Sequence, residues 1–192
     1  MNKNILHLLL SLYDKNTYSH VCRVAILSNE IGKCLKLPKN DMNLLLYSSL
    51  LHDIGKIFLP IELLEKKEKL SNNEFDLIKK HVELGYLILP SDMDEIKNII
   101  LNHHERLDGS GYPFHKTGNE IPKLSKIIAI ADSYDAMTSN RYYNNIKTHD
   151  EAFYDLFSNT SYYGENKYEY YYVKIFKKCF KKINAYQHLS IK

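Results

Sequence analysis

The stretch from Leu50 to Lys56 places an imidazole, a carboxylate and an ammonium within five residues of one another, directly after an apolar run. His52 and Asp53 are neighbours in sequence, and at the end of a helix both side chains can turn toward one point. A bound cation would explain such a group, because each crowded polar side chain then becomes a satisfied ligand. The stretch therefore predicts that further metal ligands lie elsewhere in the chain.

Other histidines and one aspartate lie at or near the ends or inner faces of predicted helices. Two adjacent histidines open the segment 103–113, HHERLDGSGYP, whose glycines and proline predict a loop with a backbone that can approach a ligand closely. Asp132 follows the apolar run 127–131 and needs a buried partner. The candidate ligands are His20, His52, Asp53, His81, His103, His104 and Asp132. This number of ligands is too large for a single zinc site, but it suits two adjacent ions that share a carboxylate.

A purely structural explanation exists for each candidate taken singly. A lone histidine such as His20 or His81 on an inner helix face is more often a hydrogen-bonded core residue than a ligand, but this explanation is poor for the whole set. Asp135, one turn after Asp132, is predicted to be a structural hydrogen-bonding residue. No cysteine joins the set, which disfavours structural zinc. Mixed nitrogen and oxygen ligands favour two Fe or Mn ions, with Zn as a further possibility.

The composition is that of an ordinary globular domain, with 192 residues, 44% of them hydrophobic and 26% charged. The net charge of +3 is weak evidence for a polyanion partner, and the basic residues within 174–182 have the spacing of a solvated helix face. No nucleic-acid partner is predicted. The apolar residues 5–12 are too few to cross a bilayer and precede no cleavage site, so we expect no membrane partner and a cytoplasmic location. Cys22, Cys34 and Cys179 have no metal-type spacing and predict buried thiols in a reducing compartment.

Hydrophobic periodicity predicts an all-α fold of about seven to eight helices. A short helix within 5–12 should pack at the N-terminus, and a second should run to about Leu35 from a cap at Thr17 or Ser19. The third, capped by Asn40 or Asp41, should be central and end at Leu51.

Capping boxes begin two later helices. One at Ser71 should open a helix that runs to about Leu87, and one at Thr148 a helix that runs to about Phe157. Helices are also predicted over 92–101 and 123–139. Residues 159–172 follow no helix or strand pattern, and a basic helix comes after them.

The order His…His-Asp…His…His-His…Asp resembles the HD phosphohydrolase superfamily. His-Asp-Ile-Gly-Lys at 52–56 and HHERLDGSGYP at 103–113 are similar to its HD-GYP branch, and residues 130–139, IADSYDAMTS, continue the match. The resemblance covers about residues 14–143. It implies a compact all-helical domain that hydrolyses cyclic di-GMP to linear pGpG or to GMP at a bimetal or trimetal centre. Accordingly, residues 1–13 are predicted to form a packing helix, 14–157 the metal-dependent domain, and 158–192 a tyrosine-rich segment with a basic helix.

The resemblance also implies two ligand sets. His20, His52 and Asp132 would hold one metal together with Asp53, which bridges, and His81, His103 and His104 would complete the second set. A hydroxide shared by two cations is a strong nucleophile near neutral pH, and the cations neutralise charge that develops on the phosphoryl oxygens.

Residues outside the ligand sets would bind the substrate. Lys56 supplies an extra cation and, with Asp53, belongs to the catalytic machinery. Arg141 would grip the second phosphate in bidentate fashion, while Gly111 and Tyr112 would line the nucleotide pocket.

The chain departs from the family pattern at two informative places. Asn16 stands where some members carry a glutamate ligand for a third ion, which favours two metals. Asn144 stands where a phosphate-binding lysine is often found, which is expected to weaken substrate affinity.

Two other functions remain open at the level of sequence. One is a non-catalytic module that retains metal and senses a cyclic dinucleotide, or binds a partner such as a diguanylate cyclase, through the Gly111–Pro113 loop. The other is an HD hydrolase that acts on a different nucleotide. Turnover separates the first from a phosphodiesterase, whereas residue spacing cannot separate guanine from adenine.

Overall fold

The computed structural model describes residues 3–139, 146–161 and 166–187, with side chains for 6–139, 146–161 and 166–180. Within these ranges the chain forms ten α-helices, three short 3₁₀ helices and one pair of two-residue strands. The helices are α1 (Lys3–Ser11), α2 (Lys15–Cys34), α3 (Lys39–Leu51), α4 (Ile61–Leu64), α5 (Asn72–Lys79), α6 (His81–Ile88), α7 (Asp94–Leu101), α8 (Lys123–Thr138), α9 (His149–Ser158) and α10 (Tyr170–Gln187). The all-α prediction is confirmed, and the predicted domain boundaries stay a prediction.

Helix α2 begins earlier than its periodicity predicts. Asp14 is its N-cap, and the carboxylate accepts hydrogen bonds from the amides of Asn16 and Thr17. Thr17 and Ser19, the predicted caps, lie inside the helix, and the Ser19 hydroxyl instead donates to the Lys15 carbonyl. The prediction was wrong because a carboxylate one turn upstream satisfies the same orphan amides.

The other predicted helix starts have mixed outcomes. The capping boxes at Ser71 and Thr148 are confirmed, each with both reciprocal hydrogen bonds. Helix α3 begins after Pro38, which offers no side-chain cap, so the prediction of Asn40 or Asp41 as cap was wrong.

The helix predicted from Ser71 to about Leu87 is divided in two. Helix α5 ends at Lys79 and α6 begins at His81, with the Lys80 amide bonded to carbonyls of α5. This division and the short helix α4 explain why the described residues form ten α-helices where about seven to eight were predicted. It also places His81 at a helix terminus.

Two apolar clusters form the core of the part of the chain that the structure describes. The larger joins α2, α8, α9 and α10, and the smaller joins α1, α3, α7 and the 3₁₀ helix Ile54–Phe58. Helix α2 packs against α3, α8 and α10 and is the most central element. Leu51 and Ile54 of the smaller cluster flank His52 and Asp53, and Ala131 of the larger cluster precedes Asp132, so the candidate ligands lie where the clusters meet.

Cys34 and Cys179 form a disulfide that joins α2 to α10. The prediction of thiols was therefore wrong for these two residues, because 145 intervening residues give no local pattern that could reveal the pair. Cys22 is a free, half-buried thiol.

The segment that the sequence left unassigned contains strands β1 (Thr160–Ser161) and β2 (Tyr168–Glu169), which pair in parallel. Helix α10 follows directly and packs Phe176 and Phe180 against Tyr134 of α8. Among the described residues, no helix combines the length and apolar content needed to span a bilayer.

Candidate metal centre

Three of the candidate histidines lie immediately beyond the last turn of a helix. His52 follows α3, His81 follows α5, and His103 follows α7 by two residues. The last carbonyls of a helix have no intrahelical partner. The three imidazoles use these carbonyls: Nδ1 of each ring donates to the carbonyl three residues earlier, on Ser49, Ile78 and Ile100, over 2.7, 2.7 and 2.5 Å respectively.

These hydrogen bonds determine the tautomer of each ring. A carbonyl can only accept, so Nδ1 carries the proton, and the lone pair of a neutral ring is on Nε2. The Nε2 atoms of His52, His81 and His103 are buried and have no hydrogen-bond partner. Three unpartnered buried acceptors fit bound cations much better than they fit a solvent-free core.

The carboxylate of Asp53 lies between two groups of imidazoles. Its Oδ1 is 3.4 Å from Nε2 of His81, while its Oδ2 is 3.5 Å from Nε2 of both His20 and His52. Ligand atoms within 4.8 Å of one another define the same two groups, Asp53 with His81, His103 and His104, and Asp53 with His20 and His52. Each oxygen of Asp53 therefore faces one group, as a bridging carboxylate requires.

His20 is held from the opposite side by a carboxylate instead of a carbonyl. Its Nδ1 lies 2.7 Å from Oδ2 of Asp135, and the Arg23 guanidinium donates one hydrogen bond to each oxygen of the same carboxylate. The prediction that Asp135 is a structural hydrogen-bonding residue is confirmed. Nε2 of His20 is 3.2 Å from Oδ1 of Asp132, which supplies the buried partner that the sequence required. If Nδ1 carries the proton, Nε2 of His20 is an acceptor that lies close to the carboxylates of Asp53 and Asp132. A cation between these three groups would satisfy all of them.

Electrostatics keep the ligands in the protonation states that metal binding needs. Burial lowers the pKa of His52, lowers that of His81 to about 4, and, with the neighbouring imidazoles, holds those of His103 and His104 well below the usual range. The rings are therefore neutral at pH 7. Burial alone would raise the pKa of Asp53, but Lys56 and the surrounding histidines outweigh it and hold this pKa well below its usual range.

Gly55 and Lys56 complete the turn after Asp53. A Cβ atom on Gly55 would lie 1.9 Å from the carbonyl oxygen of His81 and 2.6 Å from the amide nitrogen of Gly85, so only glycine lets α6 approach this closely. Lys56, largely buried, places its Nζ 2.7 Å from Oδ2 of Asp53. The ammonium therefore stands beside the bridging carboxylate, where the sequence predicts it.

The glycine-rich loop after His104 folds back on the backbone of the metal-binding segment. A Cβ atom on Gly111 would lie 2.4 Å from Cα of Glu105 and 2.5 Å from the His104 carbonyl oxygen. The close approach that this glycine allows is thus to the chain's own backbone. The ring of Tyr112, before a cis peptide bond to Pro113, stacks on His104 with centroids 4.7 Å apart.

Glu105 anchors the far side of the same loop. Its buried carboxylate accepts hydrogen bonds from the amides of Phe114 and Lys116, at 2.7 and 3.1 Å. The sequence does not reveal this role, because both partners are backbone groups nine and eleven residues away.

A cleft of about 550 Å³ opens beside the metal centre, with His104 among its lining residues. Its walls come from α5, the glycine-rich loop and the segment before α10. They carry aromatic and cationic side chains, which include Phe75, Lys79, Arg106, Tyr112, Lys167 and Tyr168. The volume is typical of small-molecule sites. The lining cations outnumber the two lining carboxylates, Asp76 and Glu83, so the cleft suits an anionic aromatic ligand.

Comparison with known proteins agrees with this arrangement. A family model described as HD domain matches residues 4–166. The chain belongs to the HD domain family. This match confirms the resemblance inferred from the HD and GYP segments. Similar proteins are named as cyclic dinucleotide phosphodiesterases.

Two curated relatives illustrate the range of names among similar HD domain proteins. A "Cyclic di-GMP phosphodiesterase" of Thermotoga maritima is 39% identical over 156 residues, which cover 79% of this chain and 42% of the relative. A "3'3'-cGAMP-specific phosphodiesterase 2" of Vibrio cholerae is 37% identical over 134 residues, 68% of this chain and 26% of that protein. The chain thus spans less than half the length of either relative.

Solved structures show the same HD domain fold. The HD domain of the phosphodiesterase PgpH of L. monocytogenes in complex with cyclic-di-AMP has a TM-score of 0.66 and 20% identity, over 96% of this chain and 99% of that one. Bd1817, a HDG"Y"P protein from Bdellovibrio bacteriovorus, has a TM-score of 0.67 and 22% identity, over 84% of this chain and 51% of that one.

The structure brings most of the predicted site residues of this HD domain together. The five candidate histidines group around Asp53, Asp132 contacts His20, Lys56 contacts Asp53, and Gly111 and Tyr112 line the adjacent cleft. Arg141 lies outside the described residues. Glu105, Arg106 and the segment with Lys167 and Tyr168 are further parts of the site that the sequence did not single out.

Proposed function

We propose that this chain is a metal-dependent phosphodiesterase that hydrolyses a cyclic dinucleotide, cyclic di-GMP above all, to pGpG, GMP or both. The observations that carry the proposal are the position of Asp53, whose two oxygens face two histidine groups, and the unpartnered buried Nε2 atoms of His52, His81 and His103. Such an arrangement is unfavourable in a purely structural core, because each unpaired buried acceptor destabilises the fold. Two divalent ions would satisfy every ligand at once.

The chemistry of bound ions complements the residues that the chain provides. Two adjacent cations would activate water as a nucleophile and neutralise charge on the phosphoryl oxygens. His20, His52 and Asp132 with Asp53 would hold one ion, and His81, His103 and His104 with Asp53 would hold the other. Nitrogen and oxygen ligands together favour Fe or Mn, while Zn is also compatible.

Lys56 would bind the scissile phosphate. Its ammonium has three donors, one of which is directed at Asp53, so the others can reach a phosphate oxygen at the centre. Gly111 and Tyr112 would line the nucleotide site, and Arg141 would bind the second phosphate.

Asn16 favours two ions over three. It lies in the first turn of α2, where an amide side chain is a poorer metal ligand than the glutamate that some family members carry there. We also propose a cytoplasmic location for a chain that hydrolyses this substrate. In that compartment the Cys34–Cys179 disulfide must resist the cellular reductants.

Another cyclic dinucleotide is the second candidate substrate. The names of the relatives favour it, because they include enzymes specific for 3'3'-cGAMP as well as an HD domain in complex with cyclic-di-AMP. The cleft provides aromatic surfaces that can stack on guanine and adenine alike.

The decisive experiment combines metal analysis with turnover. Protein purified without chelators should contain close to two Fe or Mn ions per chain and should hydrolyse cyclic di-GMP faster than 3'3'-cGAMP or cyclic di-AMP. Asp53→Ala should lose both properties, because it removes the ligand that the two groups share. Asp150→Ala, which removes an exposed carboxylate from α9, is the matched control and should retain both.

The outcomes distinguish the three candidates. A metal-free wild type with full activity would overturn the proposal. Faster hydrolysis of 3'3'-cGAMP or cyclic di-AMP would select the second substrate. Binding of a dinucleotide or of a diguanylate cyclase without turnover, and without dependence on Asp53, would identify a non-catalytic module.

A further inference from the structure

Two residues just before α10 form one wall of the cleft beside the candidate metal centre. Lys167 and Tyr168 line the cleft together with His104 and Arg106, although they come from the tyrosine-rich part of the chain that carries no family motif. This inference rests on the proposed function, because it concerns how the same cleft holds the substrate.

Backbone and side-chain hydrogen bonds attach this wall to the site. The amide of Leu107 donates to the carbonyl of Lys167 over 3.1 Å, which joins the wall to the glycine-rich loop. The hydroxyl groups of Tyr168 and Ser133 are 2.7 Å apart, and Ser133 adjoins Asp132 on α8. Tyr168 is thus connected to both elements that carry ligands on this side of the centre.

The ring of Tyr168 supports the guanidinium of Arg106. Cζ of Arg106 lies 5.3 Å from the ring centroid, within the range of a cation–π contact. Nη1 donates to the carbonyls of His103 and Glu105, and among the described residues no carboxylate pairs with this guanidinium. An arginine has five N–H donors, so those on Nε and Nη2 remain for a ligand in the cleft.

The charge of Arg106 is therefore available to an anion at a fixed place. A cyclic dinucleotide has two phosphodiesters, and when one is held at the metal centre the other must lie a short distance away. Arg106 lies close to His104 and lines the same cleft, so its guanidinium can reach that second phosphodiester. A guanidinium binds phosphate oxygens through parallel N–H groups when its plane is fixed.

We propose that Arg106 contributes, in addition to Arg141, to binding the phosphodiester that is not being cleaved, and that Tyr168 is a positioning residue that fixes the plane of the Arg106 guanidinium. Lys167 and Tyr168 are then part of the substrate site. In this role Tyr168 acts through its ring, and the bond from its hydroxyl to Ser133 is secondary.

Steady-state kinetics with two substrates test the proposal. Cyclic di-GMP engages the cleft, whereas bis(4-nitrophenyl) phosphate has one phosphate and needs only the metal centre. Tyr168→Leu should raise the KM for cyclic di-GMP about fivefold, with a smaller effect on kcat, because the cation–π support is lost. The ratio of kcat/KM for cyclic di-GMP to that for bis(4-nitrophenyl) phosphate should fall by a similar factor.

Three further variants separate positioning from a merely structural role. Tyr168→Phe keeps the ring and should remain within about twofold of wild type in this ratio. Arg106→Ala should lower it at least tenfold, and adding Tyr168→Leu should lower it no further, because both residues act through one contact. Tyr171→Leu replaces an exposed tyrosine in the first turn of α10, outside the cleft, and is the matched control.

Several results would overturn the proposal. They are an unchanged ratio in Tyr168→Leu, equal losses in Tyr168→Leu and Tyr168→Phe, and additive losses in the double variant. If the wild type hydrolyses no cyclic dinucleotide, the proposed function fails, and the Kd of cyclic di-GMP decides this inference instead. A weaker Kd in Tyr168→Leu but not in Tyr168→Phe supports it, while no binding or an unchanged Kd contradicts it.

Discussion

His20 differs from the other buried imidazoles of the metal centre in the acceptor that holds it. His52, His81 and His103 donate from Nδ1 to backbone carbonyls, whereas His20 contacts the carboxylate of Asp135. A carboxylate at the far nitrogen makes an imidazole more basic than a carbonyl does, since it stabilises positive charge on the ring. The proposed binding of a cation by His20 should therefore depend on a residue that is not itself a candidate ligand.

Asp135→Asn tests this dependence. Asparagine keeps the size and one acceptor oxygen but loses the charge, so metal affinity of the group with His20 and His52 should fall about 10- to 100-fold. Titration with a competing chelator, followed by metal analysis, should show one of two ions released at a lower chelator concentration than in wild type.

Asp150→Asn, an exposed carboxylate on α9, serves as the control for the charge change. Thermal unfolding of the metal-free proteins shows whether the two variants remain folded. Retention of both ions by Asp135→Asn at the chelator concentrations that wild type tolerates would contradict the role of Asp135.

At the scale of residues, the proximity of the candidate ligands could be predicted but not the groups that hold them in place. The types and order of the histidines and aspartates predicted a two-ion centre before any geometry was known. The Nδ1 acceptors of His52 and His81 are backbone carbonyls, which leave no pattern in side-chain types. Glu105 and Arg106 were missed for the same reason, since most of their hydrogen bonds go to backbone atoms.

At the scale of elements, a close contact between glycines fixes the distance between the two halves of the centre. The 3₁₀ helix after Asp53 contacts α6 at Gly55 and Gly85, and α6 begins with His81. Any increase in this distance moves His81 away from Oδ1 of Asp53. The spacing of the two ligand groups therefore depends on a position without a side chain.

Gly55→Ala is expected to displace α6, because the new Cβ would lie 1.9 Å from a backbone oxygen that cannot rotate away. The free energy of unfolding should fall by about 3 kcal/mol, at the upper end of overpacking effects. Ions bound by the group with His81 should also be lost. Denaturant unfolding and metal analysis measure the two effects.

Gly118→Ala provides the comparison for Gly55→Ala. No atom lies within 4 Å of the new Cβ, and only the backbone φ of +44° opposes it, so the cost should be about 1 kcal/mol with metal content unchanged. Equal losses of stability in the two variants would show that the contact with α6 does not determine the effect.

The helices themselves were largely predictable, and their interruptions were not. Capping boxes at Ser71 and Thr148 predicted two starts correctly because both partners of each box lie within four residues. The break at Lys80 has no glycine or proline to mark it. It arises where the chain packs against Gly55, and sequence periodicity carries no information about that contact.

At the scale of the molecule, helix α2 connects the metal centre to the C-terminal helix. His20 lies near one end of α2 and Cys34 lies at the other, fourteen residues away, which corresponds to about 21 Å along the axis. The disulfide to Cys179 therefore fixes α10 against the end of α2 that is remote from the ligands. Stability and metal binding should respond separately to changes at these two ends.

Loss of the disulfide tests that separation. The bond closes a segment with a sequence separation of 145, and the chain-entropy model assigns such a cross-link a stabilisation of up to about 5 kcal/mol through the unfolded state. The double variant Cys34→Ser/Cys179→Ser should lower the free energy of unfolding by up to this amount. Cys22→Ser, which removes a free thiol on the same helix, should change it by less than about 1 kcal/mol.

Metal content decides how the result is interpreted. The double variant should keep both ions under folding conditions, because the ligands of α2, α3 and α8 pack together without help from Cys34. Simultaneous loss of ions and stability would mean that α10 transmits its position to the centre through α8, where Phe176 and Phe180 contact Tyr134. Equal stability with and without a reductant in the wild type would instead show that the two cysteines are thiols in solution.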